Sequence, residues 1–454
     1  MTPSRKILAI MCAVVMTSIA TAQNINRITP DGNIETGNRS RNANRDSVSG
    51  KTEIPRGLKV WTVDELFGDI TPTEPDTMAY MYMNTIFTTG MNGEYNTTGN
   101  LGAPRQNRIF TDRTFGEEFI FTKPFDYFIC PPGKLHFTNT YSPITNLSLN
   151  SCGDRTNGED HFQARFAINA GKRLGLGMKF NYLYGRGYYQ DNSSALFDYT
   201  LYGSYLGDRY NAHLIMTTNH MKQAENGGIT DDNYITHPES FKDDYATNEI
   251  PTMLTLNWNR NDNQHIFFAH RYSLGFNRKV PMTDDEIKAK KFAIESQKEN
   301  AAAKAKQKAR EQAEKDGDVF DEEEYDRQLK ITAETTPEEK VDTTWMKNEY
   351  VPVTSFIHTL NFHNYRRIYQ AYSTPTDYYA MTYAPADVIG KDSIYDKTTH
   401  FQLKNTFAIA LLEGFNKYAK AGLKAYVSHD LLHFTLPDST SRSVSYNQND
   451  IYIL

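Results

Sequence analysis

Along residues 174–185 the chain reads LGLGMKFNYLYG, with Leu174, Leu176, Met178, Phe180, Tyr182 and Tyr184 at every second position. Gly175, Gly177, Lys179, Asn181 and Gly185 fall between them. Successive side chains of a strand point to opposite faces, so this pattern predicts one long strand with an apolar and a polar side. The same alternation recurs. Phe162, Ala164, Phe166 and Ile168 alternate with Gln163, Arg165 and Asn169; Phe197, Tyr199 and Leu201 with Asp198 and Thr200. Further runs cover 210–217, 254–259, 266–276, 401–409 and 419–428. Most approach the ten residues that a tilted strand needs to cross a bilayer, about twice the usual strand of a soluble sheet.

Connections between the runs alternate in length. Short turns are predicted at 171–173, 207–208, 259–263 and 412–416, and long loops near 186–195, 220–251, 277–349 and 383–398. Such alternation matches the short periplasmic turns and long extracellular loops of outer-membrane barrels. Tyr188, Tyr189, Tyr365, Tyr378 and Tyr379 lie near predicted strand ends, where aromatic girdles would sit. The expectation is about fourteen antiparallel strands from roughly Met78 onward, with their apolar faces toward lipid.

Three stretches depart from the pattern. Residues 1–22 run from Arg5 and Lys6 through an apolar stretch to Ala20-Thr21-Ala22, the order of a secretory signal. Residues 23–76 read as a disordered periplasmic tail, and 77–454 as the barrel. Within it, 283–343 is rich in Lys, Glu and Ala; Thr283 and Glu286 have capping-box spacing, which predicts a solvated helix near 288–315. Two cysteines outside the signal, Cys130 and Cys152, do not make a disulfide framework.

Composition excludes several classes. The chain has 454 residues, 39% hydrophobic and 23% charged, with a net charge of −6, so nothing points to nucleic acid. No run beyond the first residues is apolar for long enough to span as a helix. Nucleotide, zinc-protease and hydrolase motifs are absent, so neither an enzyme nor a cofactor is predicted. His358 and His363 lie five apart, as do His265 and His270, which puts each pair on opposite faces and argues against a shared metal. The acidic run 317–326 lacks the ligand spacing of a calcium loop and reads as a solvated charge run.

GNLGAPRQNRIF (99–110) and FTNTYSPITNLSL (137–149) resemble the two most recognisable stretches of the putative porin family of bacterial outer membranes. VPVTSFIHTLNF (351–362) and LLEGFNKYAKAGLKAY (411–426) resemble its later segments. The resemblance implies an outer-membrane β-barrel with porin activity. Two departures stand out: the size of the 283–343 insertion, and a chain that ends in YNQNDIYIL rather than an aromatic-terminated strand. The second leads to the expectation of a truncated sheet whose last strand lacks a partner.

The resulting expectation is an all-β transmembrane barrel in the outer-membrane bilayer that passes small hydrophilic solutes by diffusion. Two other readings stay open: a barrel-based surface receptor or adhesin that uses the insertion, and a secreted β-sandwich that binds glycans. Parity puts Arg165, Lys179, Asn181, Arg271, Lys404, Lys420 and Lys424 on the inward face, with Asp198 as its one clear carboxylate. Basic rings in a pore favour anions, unless acids from an inward-folded loop neutralise them.

Overall fold

The computed structural model describes residues 27–28, 34–35, 58–75, 89–90, 92–113, 119–153, 157–284, 345–379, 393–411, 422–435 and 441–453, plus scattered helical residues between 286 and 307. The chain divides into two units, Met1–Thr52 and Glu53–Leu454. In the first, strands β1 (Arg27–Ile28) and β2 (Ile34–Glu35) pair antiparallel. The expected signal lies outside the described residues.

The second unit contains short strands and one large sheet. β3 (Lys59–Val63), β4 (Ile70–Thr73) and β7 (Phe137–Asn139) form a three-stranded sheet, and β5 (Tyr95–Thr97) pairs with β6 (Arg105–Asn107). The large sheet runs β8 (Ile144–Cys152), β9 (Glu159–Ala170), β10 (Leu174–Gly185), β11 (Ser194–Leu206) and β12 (Tyr210–Glu225). It continues with β13 (Asn257–Pro281), β14 (Met346–Ala371), β15 (Ile394–Leu411), β16 (Leu423–Thr435) and β17 (Ser441–Ile453). Every neighbour in this antiparallel meander is also the neighbour in sequence. Among the described residues the sheet holds ten strands, against an expectation of about fourteen, and starts at Ile144; Met78 lies outside the described residues. Residues 59–73, placed by pattern in the tail, are strands of the smaller sheet.

Burial along the large sheet is inverted relative to a soluble protein. Leu174, Leu176, Leu214, Met216, Tyr272, Phe356, Phe407 and Val427 are exposed, while Asn181, Asp198, Thr200, His213, Thr217, Asn263 and Thr406 are buried. Apolar side chains therefore cover the outer face and polar ones the inner. A soluble two-layer sandwich packs its apolar faces together, so the glycan-binding sandwich reading does not fit this sheet.

The opening stretch shows why. Along β10, Leu183 and Asn181 are inward and buried, and Tyr182 is outward and exposed. The interleaved glycines are small for a reason. A Cβ on Gly185 would lie 2.4 Å from the carbonyl oxygen of Leu101, and one on Gly177 within 2.1 Å of the Tyr202 ring. They let the Leu101 backbone and a neighbouring ring lie close against the wall.

Three corrections follow from β13. The polar run 259–263, predicted as a turn, lies inside this 25-residue strand, because its Asn and Asp side chains alternate faces and pair across the sheet. The strand begins at Asn257, not Leu254: Leu256 has φ +58° and Leu254 is buried against Tyr369 and Tyr379. Restoring this strand moves the insertion. It joins β13 to β14 at the same end as turns 171–173 and 207–209, not with the long loops 186–193 and 226–256. Ser273–Pro281 and their partners Met346–Ser355 extend past the end of β12 as a two-stranded arm. At its tip Thr283 and Glu286 form the expected capping box, the Thr283 amide donating to Oε2 (3.0 Å) and the Glu286 amide to Oγ1 (3.4 Å). Most of the insertion, and the expected turn 412–416, lie outside the described residues.

The aromatic rim also differs from expectation. Tyr365 and Tyr379 point inward, Tyr379 bonding Tyr369 (2.7 Å) and Asn257 (3.0 Å). Trp258 and Tyr395 flank the long-loop end of the outer apolar face, and Tyr210 and Tyr272 lie within it. Phe268→Arg on this face is expected to cost roughly 2–4 kcal/mol near the midplane, with Gln163→Arg on the inner face costing much less. Denaturant unfolding of protein folded in lipid measures both, and equal losses would show that the two faces meet the same environment.

Candidate functional site

The inner face does not stand empty. Parts of 58–75, 92–113 and 119–140 lie on it, and their docking begins with a tight turn between β3 and β4. Asp64 Oδ2 accepts the amides of Leu66 (3.1 Å) and Phe67 (2.8 Å), while the Gly68 amide returns to the Asp64 carbonyl (2.9 Å). Gly68 has φ +65°, and a Cβ there would sit 3.0 Å from Ala269 of the wall, so a residue without one suits the position. This turn presents Phe67 and Asp69 to the sheet.

Phe67 meets the rings of Tyr426 (5.7 Å) and Tyr452 (5.6 Å) edge-on and lies with Ile357, Ala408 and Ala410. Asp69 is bonded by both Arg271 on β13 and Lys424 on β16. Two strands separate these, about 14 Å at the usual strand spacing, so two long side chains converge on one carboxylate from opposite sides. Thr359 on β14 adds a hydroxyl bond to the Leu66 carbonyl (3.2 Å). Further along, Trp61 stacks on Phe137 and donates Nε1–H to His213 Nε2 (3.2 Å). Asn100 donates to the Asn192 carbonyl (2.8 Å) and Ser194 (3.0 Å), and Leu101 packs with Leu183 and Leu196.

The inward residues expected from parity take these places. Arg165 donates to the His136 carbonyl (2.8 Å). Lys179 stands 3.9 Å from the fully buried Asp198, whose Oδ1 accepts Asn219 (2.8 Å). Asn181 Oδ1 lies 2.8 Å from His161 Nε2. Arg271 and Lys424 hold Asp69, and Lys404 lines a cavity; Lys420 lies outside the described residues. Parity thus found residues on one face, but not the acid that joins two of them, because Asp69 was read as tail.

The cavity beside Lys404 has a volume of about 520 Å³ and is walled by Glu65, Phe119 and Lys134 on one side and His265, His363 and His400 on the other. His265 and His363 face each other across β13 and β14, Nε2 to Nε2 at 2.9 Å, and His270 pairs with His358 (3.0 Å) on the outer face. Spacing within a strand rightly separates 358 from 363, but these cross-strand pairs depend on register and escape it. No group of three metal-ligating side chains occurs among the described residues.

The profile of the family described as "Putative porin" matches residues 57–454. The chain belongs to this family. Among curated proteins none matches the sequence. Two solved structures are similar in course: ferric citrate transporter FecA in the unliganded form, at 8% identity and TM-score 0.28, covering 87% of this chain and 55% of that one; and the ferric-catecholate import receptor Fiu from K12 E. coli in a closed form, at 9% identity and TM-score 0.23, covering 72% and 50%. The chain spans about half the length of each.

Burial pushes the Asp69 carboxyl up, but the Lys424 hydrogen bond and the charges of Arg271 and Lys424 outweigh it and hold the group below the ordinary range. A depressed carboxylate stabilises above its unfolded value, about 4, and that contribution is lost as pH falls through the folded value. Glu65 shifts the other way: burial raises it, more than the Gly133 amide (3.1 Å) lowers it. Acidification below about pH 4 should therefore loosen residues 58–75 through Asp69. Limited proteolysis of folded protein across pH reads this. Asp69→Asn should be cleaved already at neutral pH and show a flattened acid transition; an unchanged transition would clear Asp69 of the role.

Proposed function

We propose that this chain forms an outer-membrane pore, reached by export through the 1–22 signal, that admits small hydrophilic solutes by passive diffusion. The observation that carries the reading is the inversion of polarity along β9 to β16, each long enough to cross a bilayer, with a largely polar inner face and a cavity on it. The described parts of 58–75 and 119–140 narrow the passage rather than line an open tube. Arg165, Lys179, Asn181, Arg271, Lys404, Lys420 and Lys424 line the solute path in this reading. Asp69 and Asp198 offset much of their charge, which argues for weak ion preference instead of strong anion selection.

The end of the short turns would face the periplasm. The 283–343 insertion leaves from that end, so its position favours a periplasmic role over that of a surface adhesin. Single-channel recording of the purified full chain in a planar bilayer tests the proposal. Stable conductance steps with a reversal potential near zero under a salt gradient are expected, and Lys404→Glu should move it toward cations. Absence of conductance from protein shown to be folded and inserted would overturn passive diffusion.

A further inference from the structure

Charges on the outer face of the sheet are concentrated in one place. On β13 the outward apolar series runs from Phe276 through Leu274, Tyr272 and Phe268 to Ile266. At about 3.3 Å per residue and a tilt of about 40°, this length covers about 25 Å of bilayer, the height of the apolar band of such barrels. Past Ile266, toward the end of the long loops, the same face carries Gln264, Asp262, Arg260 and Trp258. Register sets His220, Asp262 and Arg366 in one row across β12, β13 and β14, and Lys222, Arg260, Ile368 and Lys397 in the next across β12 to β15. The cluster thus begins where the hydrocarbon ends, at headgroup depth.

Four cations, Lys222, Arg260, Arg366 and Lys397, share these two rows with one carboxylate, Asp262. Asp262 Oδ2 accepts Arg366 Nη2 (2.5 Å) and stands 3.1 Å from Arg260 Nε, and Oδ1 lies 2.5 Å from His220 Nδ1. A single acid therefore fixes both guanidinium groups while leaving a surplus of positive charge. Arg366 remains 43% and Arg260 28% exposed. Lys222 and Lys397 are exposed, and no salt bridge joins either to an acid among the described residues. Lys222 Nζ lies over the Trp258 ring at 4.7 Å, with the Arg260 guanidinium 5.9 Å from it.

We propose that this cluster is a binding site for an anionic lipid headgroup, one whose phosphate carries no compensating ammonium, in the leaflet at the long-loop end. Guanidinium groups held in place offer paired N–H donors that match phosphate oxygens. An amphipathic Trp at the edge of the apolar band suits the membrane interface, and basic side chains near a membrane surface attract anionic lipid. The apolar surface beyond the intervening row of Thr218, Gln264 and Asn364, beginning with Met216, Ile266 and Phe362, gives acyl chains a place that a soluble phosphate would not use. The inference rests on the outer face meeting lipid and not on what crosses the pore.

Trp258 provides a local probe. The chain has three tryptophans; Trp61 is buried on the inner face, and Trp345 lies at the opposite end beside the insertion. Full-length protein is placed in phosphatidylcholine nanodiscs containing a second lipid with brominated acyl chains, either phosphatidylglycerol or phosphatidylcholine, and Trp258→Phe supplies the background. Brominated phosphatidylglycerol should quench Trp258 at about tenfold lower mole fraction, the preference expected of a pair of charge-assisted bonds. Arg260→Gln with Arg366→Gln should abolish that preference, whereas Asp262→Asn, which removes the one acid, should increase it. If the arginine double variant loses the heat-modifiable band of the folded barrel, Lys222→Gln with Lys397→Gln, neither touching Asp262, should lower the preference instead. Equal quenching by the two lipids in the unaltered protein, or an unchanged preference in folded variants, would overturn the proposal. Loss of the preference on adding inorganic phosphate at constant ionic strength would assign the cluster to a soluble anion and overturn the lipid. Absence of quenching by either lipid would refute the lipid-facing reading itself.

Discussion

Hydrocarbon offers no hydrogen bonds, and most of the structure answers that single constraint. Each spanning strand must satisfy its backbone through its neighbours and turn an apolar side outward. The polar half of every strand is then forced inward, where Asp198, His213 and Thr217 need partners of their own. The described parts of 58–75, 92–113 and 119–140 supply many of these partners. The Asp69 carboxylate between Arg271 and Lys424 answers two cations at once, and the Trp61 indole answers a buried histidine. The inner wall and the segment on it are therefore two halves of one polar interior.

Packing between the halves is close because the wall was built for it. Glycines on β10 leave room for the Leu101 carbonyl and the Tyr202 ring, and the small side chains Ala269, Ala408 and Ala410 receive the turn that carries Phe67. Side chains larger than these would hold the segment off the sheet and leave Asp69 short of its partners. Apolar contact and ionic contact thus depend on each other, although neither is extensive. That interdependence is the reason a carboxylate more than a third exposed can still anchor a large segment.

Period-two alternation made the strands legible: 174–185 was readable as it stands, and the inward set containing Lys179, Asn181 and Arg271 followed from parity alone. The capping box at Thr283 and Glu286 was equally local and equally visible. What failed was non-local. Residues 259–263 look like a turn because Asn and Asp favour turns, yet here they sit on two faces of a strand, bonded to neighbours that no single stretch reveals. That one misreading displaced the insertion to the wrong end of the sheet. Asp69 was missed because a short polar stretch near an unpatterned terminus looks like tail until its partners, two hundred and more residues later, are known.

The meander has a temporal consequence. Each strand of the large sheet pairs with the one before it, so the wall can be laid down hairpin by hairpin with short loop closures. The Asp69 contacts differ: Arg271 is 202 residues away and Lys424 is 355. The first can form once β13 is in place, the second only after β16. A chain arrested between those points would hold its segment by one cation, so the order of the strands along the chain also sets the order in which the interior is locked.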